Sequence, residues 1–296
     1  MSVETSATRA VATGPRKGRS RLIRFLGTHR GVAIASLVLA GFVLMALLAP
    51  FIAGDPAAIN PAQRFKGAMP GAPWGTDHLG RDVFARSMFG ARHSLLVGFF
   101  VAMLTTLIGV ALGLYAGLGK MGSGVLMRLN DAMMTIPAVL LAIALASILG
   151  AGLWTVIVAI TVPEVPRMVR LVRAVTLGVR QEPYVMAAIS VGTRGFAMIH
   201  RHILPNIAGP VLVQATYVCA SAIIASAVLS FLGVGTSPDV PSWGGMMADA
   251  RARFRLNPEL MLYPGMLLSG LVLVVNVLGD RLSDALDPRK ARGSDL

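Results

Sequence analysis

The stretch Arg180-Gln-Glu-Pro-Tyr-Val-Met-Ala-Ala-Ile-Ser-Val-Gly-Thr-Arg-Gly-Phe-Ala-Met-Ile-His-Arg-His-Ile-Leu-Pro-Asn206 lies between two long apolar runs, and its reading decides the fold. It is too long and too regular in pattern to be a mere connector. Short apolar stretches flank a small-residue turn at Gly192, which predicts helix, turn, helix, with Pro205 opening the next membrane helix. The small residues Ala187 and Ala188 let a groove of another protein come close. The segment therefore reads as a docking lever.

Outward from this loop, uncharged windows run over 31–54, 93–119, 132–163, 202–238 and 260–279. A span needs roughly 20 apolar residues to cross about 30 Å of hydrocarbon, so the first, second and fifth windows hold one helix each. In the window 132–163, Gly150-Ala-Gly152 marks a turn, and the apolar pattern continues past Glu164 through Met168, Val169, Leu171 and Val172. This predicts two helices, 130–149 and 153–173. In 202–238, Pro205 and Pro210 come early and Gly233, Gly235 and Pro238 late, leaving one helix over 209–232. The expected fold is an all-α membrane protein with six transmembrane helices.

Composition supports this reading. Hydrophobic residues make up 55% of the 296 and charged residues 14%, against about 25% charged in soluble domains; with a mean hydropathy of +0.69, a soluble globule is excluded. The single cysteine, Cys219, rules out an intrachain disulfide and a cysteine-based metal cluster, and reads as a small packing residue.

Six crossings put both termini on one side, and the basic residues choose it. The tail 1–30, the 118–130 turn, the 167–201 segment and the C-terminal tail hold 19 Lys and Arg; the opposite segments, 54–93 and 234–259, hold 8. Both termini are expected in the cytoplasm, facing anionic membrane lipid, and the net charge of +13 is a topology signal rather than a nucleic-acid footprint. The apolar run 31–53 is longer than a signal-peptide core and reads as the first span, while the first 20 residues are expected to be disordered. The expected domain layout is a cytoplasmic tail 1–30, a first span 31–53, an extracytoplasmic segment 54–93 with an interfacial helix, a core 94–280 of five membrane helices with the loop 180–206, and a cytoplasmic tail 281–296.

The polar islands carry the rest of the information. Asp77, Gly80, Arg81 and Asp82 give turn and capping chemistry, and Val83, Phe84, Ser87, Met88 and Phe89 suggest a short amphipathic helix at the outer interface, bracing the next span or touching substrate. Gly109, Gly113 and Gly117 leave one helical face almost bare for a close neighbour, in this chain or another. Arg128 and Asp131 are spaced to pair, as are Glu164 and Arg167. Asp131, Glu164 and Arg167 are thus candidates either for structural ion pairs or for polar groups along an aqueous path.

On these motifs the chain resembles the permease subunits of ATP-binding-cassette importers. The type I importer loop runs Glu-Ala-Ala, three residues, Gly, nine residues, then a hydrophobic residue and Pro; here Ala187, Ala188, Gly192, Leu204 and Pro205 match, and Met186 stands where Glu is usual. More specifically, the chain is similar over about 21–290 to the C-type permeases of the dipeptide, oligopeptide and nickel uptake group. That likeness rests on the order of Gly75–Asp82, Gly90–Gly98, Met127–Asp131 with Ile136-Pro137, Arg201–Asn206, Leu229–Gly235, Pro241–Gly244, Leu278–Asp280 and Asp284–Arg289.

The resemblance implies a type I importer permease fold in a prokaryotic cell membrane and a role as half of a translocation pore for di- or oligopeptides. It implies as partners a B-type permease, two ATPase subunits and an extracytoplasmic substrate-binding protein. Tyr184, Ala187, Ala188, Gly192 and Arg194 would form the surface docked on the ATPase, with His202, Leu204 and Pro205 joining the loop to the membrane helix. Nickel chelate, glutathione and haem are alternative cargoes within the group.

The chain itself is not expected to hydrolyse ATP. Its one Gly-Lys pair, Gly119-Lys120, has Leu114 where a phosphate loop needs Gly and Met121 where it needs Ser or Thr. No cofactor or metal is expected, because the histidines have no partners at ligand spacing. An ATP-independent secondary transporter would need a midplane ion site and internal repeats, and the sequence offers only Glu164 and no repeat. A polytopic membrane enzyme would need clustered His, Asp or Glu, and the 14 acidic residues are scattered.

Overall fold

The computed structural model describes residues 30–286 except Lys120, Arg194 and Pro238. The expected disorder of the N-terminal tail, most of the C-terminal tail and the docking role of Arg194 therefore lie outside the described residues.

The main elements are α1 (Arg30–Ile52), α2 (Val83–Gly117), α3 (Ser123–Met133), α4 (Ala138–Leu149), α5 (Leu153–Arg180), α6 (Pro183–Ser190), α7 (Gly195–Phe231), α8 (Trp243–Ala250) and α9 (Glu259–Leu286). By length and apolarity α1, α2, α7 and α9 each suffice to cross a membrane, and α3 with α4 makes a fifth span if the bent pair is counted as one. The sixth predicted span, α5, carries Glu164, Arg167, Arg170 and Arg173, so its uncharged part stops at Pro163.

Four boundaries differ from the sequence reading, the simplest being that the helix expected over 153–173 continues to Arg180. The helix expected over 130–149 is two helices meeting at 89°. Pro137 is the cause: it has no N–H, and it disfavours helical backbone at Ile136. The short interfacial helix expected near 83–89 is the opening of the 35-residue α2, capped by the Asp82 carboxylate, which accepts the Phe84 N–H at 2.9 Å. Val83, Ala85, Ser87 and Met88 are all buried there by the 54–82 segment and α8, so no face is left to lie on a bilayer. Finally, α7 starts at Gly195, well before 209, and crosses Pro205 through one wide turn, Ile199–Ile203, in which the Leu204 N–H reaches back to the Ile199 carbonyl. That turn accommodates the N–H that Pro205 lacks.

Small residues set the helix spacing. A side chain added at Gly113 would stand 2.5 Å from Val172 Cβ and one at Gly117 2.8 Å from Thr176 Cβ, while Gly109 faces Met168 as closely. The bare face of α2 thus receives the ridge Met168, Val172, Thr176 of α5: the partner lies in the same chain. Nearer the N-terminal end of α2, Gly98 receives Cys219 and Ile223 of α7, which gives Cys219 the expected packing role. Gly244 of α8 seats against the Ala227 carbonyl, and Gly279 of α9 against Thr216. Where lipid leaves helices little hydrophobic reason to associate, such close approach supplies the dispersion energy.

Candidate functional site: a coupling loop, a polar track and an outer ion-pair cluster

The loop after α5 has the predicted helix, turn, helix form. Pro183 occupies the first turn of α6, where its missing N–H costs nothing. After Val191 the chain reverses at Gly192, whose φ is +87°. The Gly192 N–H donates to the Ile189 carbonyl at 2.9 Å and the Thr193 N–H to the Ala188 carbonyl at 3.0 Å, a left-handed glycine cap. No atom lies within 4 Å of where a Gly192 side chain would begin. Backbone conformation rather than lack of space therefore calls for glycine here.

One face of the loop points inward. Val185, Ala188, Met198, Ile203 and Ile207 pack with Leu114 of α2 and Met168 and Val172 of α5. The other face leaves Tyr184, Met186, Ala187, Ile189, Val191 and Phe196 exposed, Val191 at 84% and Phe196 at 78%, with Phe196 stacked on His200. The alanine pair thus splits: Ala187 is presented outward, and Ala188 anchors the loop to the helices. His202 is half-buried and its carbonyl accepts the Asn206 side-chain amide at 2.6 Å, which braces the turn before exposed Leu204 and Pro205. The Arg180 Nη1 donates to the Gly117 carbonyl at 2.9 Å and ties the C-terminal ends of α5 and α2 together.

The polar candidates of the core also find partners. Arg167 Nη1 stands 3.2 Å from Glu164 Oε1, the predicted pair. The Ser221 hydroxyl of α7 adds a donation to the same oxygen at 3.1 Å. Glu164 is 5% exposed while the Arg167 side chain is 51% exposed, so the pair forms a track from the helix interface to the surface. Asp131 does not pair with Arg128; it accepts from Arg170 Nη2 at 2.7 Å, across from α3 to α5. Spacing along one helix pointed to Arg128, but the bend at Pro137 brings α3 against α5, and the bridge closes between helices. Asn130 Nδ2 donates to the Pro166 carbonyl at 3.3 Å beside it. No sequence signal pointed to Ser221, Asn130 or Arg170 as partners, because each contact joins residues distant in the chain.

The polar island around Asp77, expected from the sequence on the outer side, is closed on itself. The Asp77 carboxylate accepts the Leu79 and Arg81 N–H groups at 2.8 and 3.0 Å, and Arg81 Nε meets its other oxygen at 2.6 Å. Arg81 Nη2 also bridges to Asp249 of α8 at 3.1 Å, Arg86 Nε lies 3.8 Å from Asp77, and Arg86 Nη1 donates to the Pro56 carbonyl. The carboxylates of Asp77 and Asp249 with His78 lie close enough to suggest a cation site. The Arg81 guanidinium already bridges the two carboxylates and Arg86 stands beside Asp77, so the cluster is an ion-pair network that braces the segment. The Trp243 indole N–H donates to the Ser87 carbonyl at 2.9 Å, and its ring lies against Gly90. The hydroxyl of buried Thr76 donates to the Gln63 carbonyl.

Residues 109–292, which take in the loop, the polar track and α8, match the family model described as the binding-protein-dependent transport system inner membrane component. The chain belongs to that family. Members are membrane permeases of ATP-binding-cassette importers rather than enzymes, and membership implies work with ATPase and substrate-binding components.

Whole-length relatives agree. This permease is similar to a probable peptide ABC transporter permease of Sinorhizobium fredii, 43% identical over 94% of this chain and 96% of the relative. A dipeptide transport system permease of Alkalihalophilus pseudofirmus is 39% identical over 86% and 85% of the two chains. A glutathione transport system permease of Pectobacterium atrosepticum is 36% identical over 90% and 89%. Among solved structures, a chain of the methionine ABC transporter in an inward-facing conformation superposes with a TM-score of 0.55 at 20% identity, covering 67% of this chain and 94% of that one. That likeness speaks for the type I importer permease fold alone.

Proposed function

We propose that this chain forms half of the translocation pore of an ATP-driven importer of di- or oligopeptides. The observation that carries the proposal is the coupling loop: a glycine-capped turn, anchored by Val185, Ala188 and Ile203, presents uncovered apolar side chains at the inner end of two interlocked helices. Exposed side chains of this size in a segment that is otherwise well packed call for a protein partner. The peptide cargo follows from the names of near-full-length relatives.

In this reading a second, B-type permease completes the pore, two ATPases bind the loops, and an extracytoplasmic protein delivers the peptide. Both termini face the cytoplasm in this assembly, an orientation supported by the 19 to 8 division of basic residues. Tyr184, Ala187, Gly192 and Arg194 belong to the docked region, and Met186 offers an apolar contact where the resembled pattern has a carboxylate. Closure of the ATPases on nucleotide displaces the loop, and the permease helices rock between two packings. Glu164 and Arg167 border the path.

Growth of cells on a defined dipeptide as sole amino-acid source, with and without this subunit, tests the cargo; undiminished growth without it overturns the peptide reading. A parallel culture supplied with glutathione separates the cargo named for the third relative. Recovery of ATPases and a second permease from mild detergent supports the assembly, whereas an active homo-oligomer alone defeats it.

A further inference from the structure

At the outer end of α7 lies a cavity of about 420 Å³ that the ion-pair network borders without filling. Ser230, Phe231 and Leu232 close α7 beneath it, the turn through Thr236 and Ser237 forms its rim, and α8 forms a wall with Ser242, Gly245, Ala248 and Asp249. Arg86 of α2 and Arg251, just after α8, complete the lining. Its volume lies in the range of small-ligand sites, about 300–1,000 Å³.

The lining has both signs of charge and an apolar wall. The Arg86 guanidinium is 2% exposed and held by Asp77 and Pro56, so it is a fixed cation. Arg251 is exposed and lies over the Phe231 ring, 6.0 Å from its centroid, so it is a second cation oriented by an aromatic face. Asp249 shares one carboxylate oxygen, Oδ2, with Arg81, and its side chain remains 41% exposed. The last carbonyls of α7 add the negative end of a long helix beneath. Two cations, a part-exposed carboxylate and a helix C-terminus, with the apolar side chains of Phe231, Leu232 and Val240 in the same lining, complement a short molecule that carries both a carboxylate and an ammonium group.

We infer that this cavity is a subsite for a short zwitterionic peptide on the outer side of the permease, with Arg251 taking the carboxylate and Asp249 the ammonium group. This rests on the import reading above and adds to it a place where the permease itself reads the peptide termini. The buried Arg86 sets the positive potential of the wall.

Cys219 is the only cysteine, so Cys219→Ala gives a background in which Ala248→Cys is a single outer reporter. In intact cells carrying the whole transport system, a membrane-impermeant maleimide should label this position, and dialanine should slow labelling several-fold. N-acetyl-dialanine amide, which lacks both charges, should give no protection, and free alanine less than dialanine. In parallel, Arg251→Gln in the native chain should raise the half-saturating dialanine concentration for uptake about tenfold, the scale of one lost charge-assisted hydrogen bond, while the amount of chain in the membrane is unchanged. Labelling that dialanine leaves untouched, with uptake by Arg251→Gln identical to the parent, overturns the subsite while import stands. Protection in cells that take up no peptide supports the subsite and overturns the import reading instead.

Discussion

The two polar regions that flank the membrane helices handle their side chains in opposite ways. The outer region, residues 54–82 with α8, joins its charges internally: Arg81 and Arg86 are buried, and both meet Asp77. The inner region, residues 180–206, has few internal polar bonds and leaves Val191 and Phe196 almost wholly uncovered. The outer region is therefore closed by its own partners, and in the proposed assembly the inner one would be covered by another protein. Where burial is finished, substitution should cost stability; where it is unfinished, substitution should cost coupling.

The largest effect that follows is at Arg81. Arg81→Ala leaves the largely buried Asp77 carboxylate with two backbone N–H groups but only the more distant Arg86 as a charged partner, and should destabilise the chain by about 3 kcal/mol. Thermal unfolding in mild detergent measures this, and a melting temperature equal to the parent's would break the contrast from the outer side. Next is Gly192→Val. A β-branched residue in the left-handed region costs about 1–2 kcal/mol, confined here to the turn, so insertion and yield should persist while peptide uptake falls to background. Gly192→Asn, which tolerates that conformation, should retain most uptake. Unchanged uptake in the valine variant would argue against the loop as the coupling element.

Phe196→Ser sharpens the comparison. Stability should move by less than about 0.5 kcal/mol, as for other exposed positions, yet ATPase recovered with the solubilised permease should fall. The smallest effect is at Asp82. Burial raises its carboxyl pKa above the usual range, against the opposing hydrogen bonds of the Phe84 and Ala85 N–H groups. A raised folded-state pKa means stability present at low pH and lost as pH rises through that value. Asp82→Asn keeps a capping oxygen and removes the charge, so its stability at neutral pH should equal or slightly exceed the parent's, with a flatter pH profile through the acid range.

Much of this was legible in the sequence because it depends on residues near each other in the chain. Uncharged windows located the spans, the four-residue spacing of Gly109, Gly113 and Gly117 announced a tight helix crossing, and Gly192 announced the turn. Asp77 and Asp82 performed the turn and capping chemistry their spacing suggested. The bend at Pro137 had a visible cause, but a window of uncharged residues is blind to a missing N–H. What the sequence could not disclose are contacts made by tertiary packing: Asp131 with Arg170, Glu164 with Ser221, Arg81 with Asp249, and the inward turn of Ala188 beside the outward Ala187. Each depends on which helix comes to lie alongside.

One consequence of the glycine stripe is mechanical. Below its two prolines α5 is locked to α2 at three successive turns and clamped at the end by the bond from Arg180 to Gly117. The two helices cannot slide past each other without lifting those ridges out of their seats. Over its whole length of 35 residues α2 has no proline and spans about 52 Å at 1.5 Å per residue, and Arg86 near its far end borders the outer cavity. If the 180–206 loop is the coupling element proposed above, a shove on it would be delivered to the opposite surface through a single push-rod, with no compliant joint along the way.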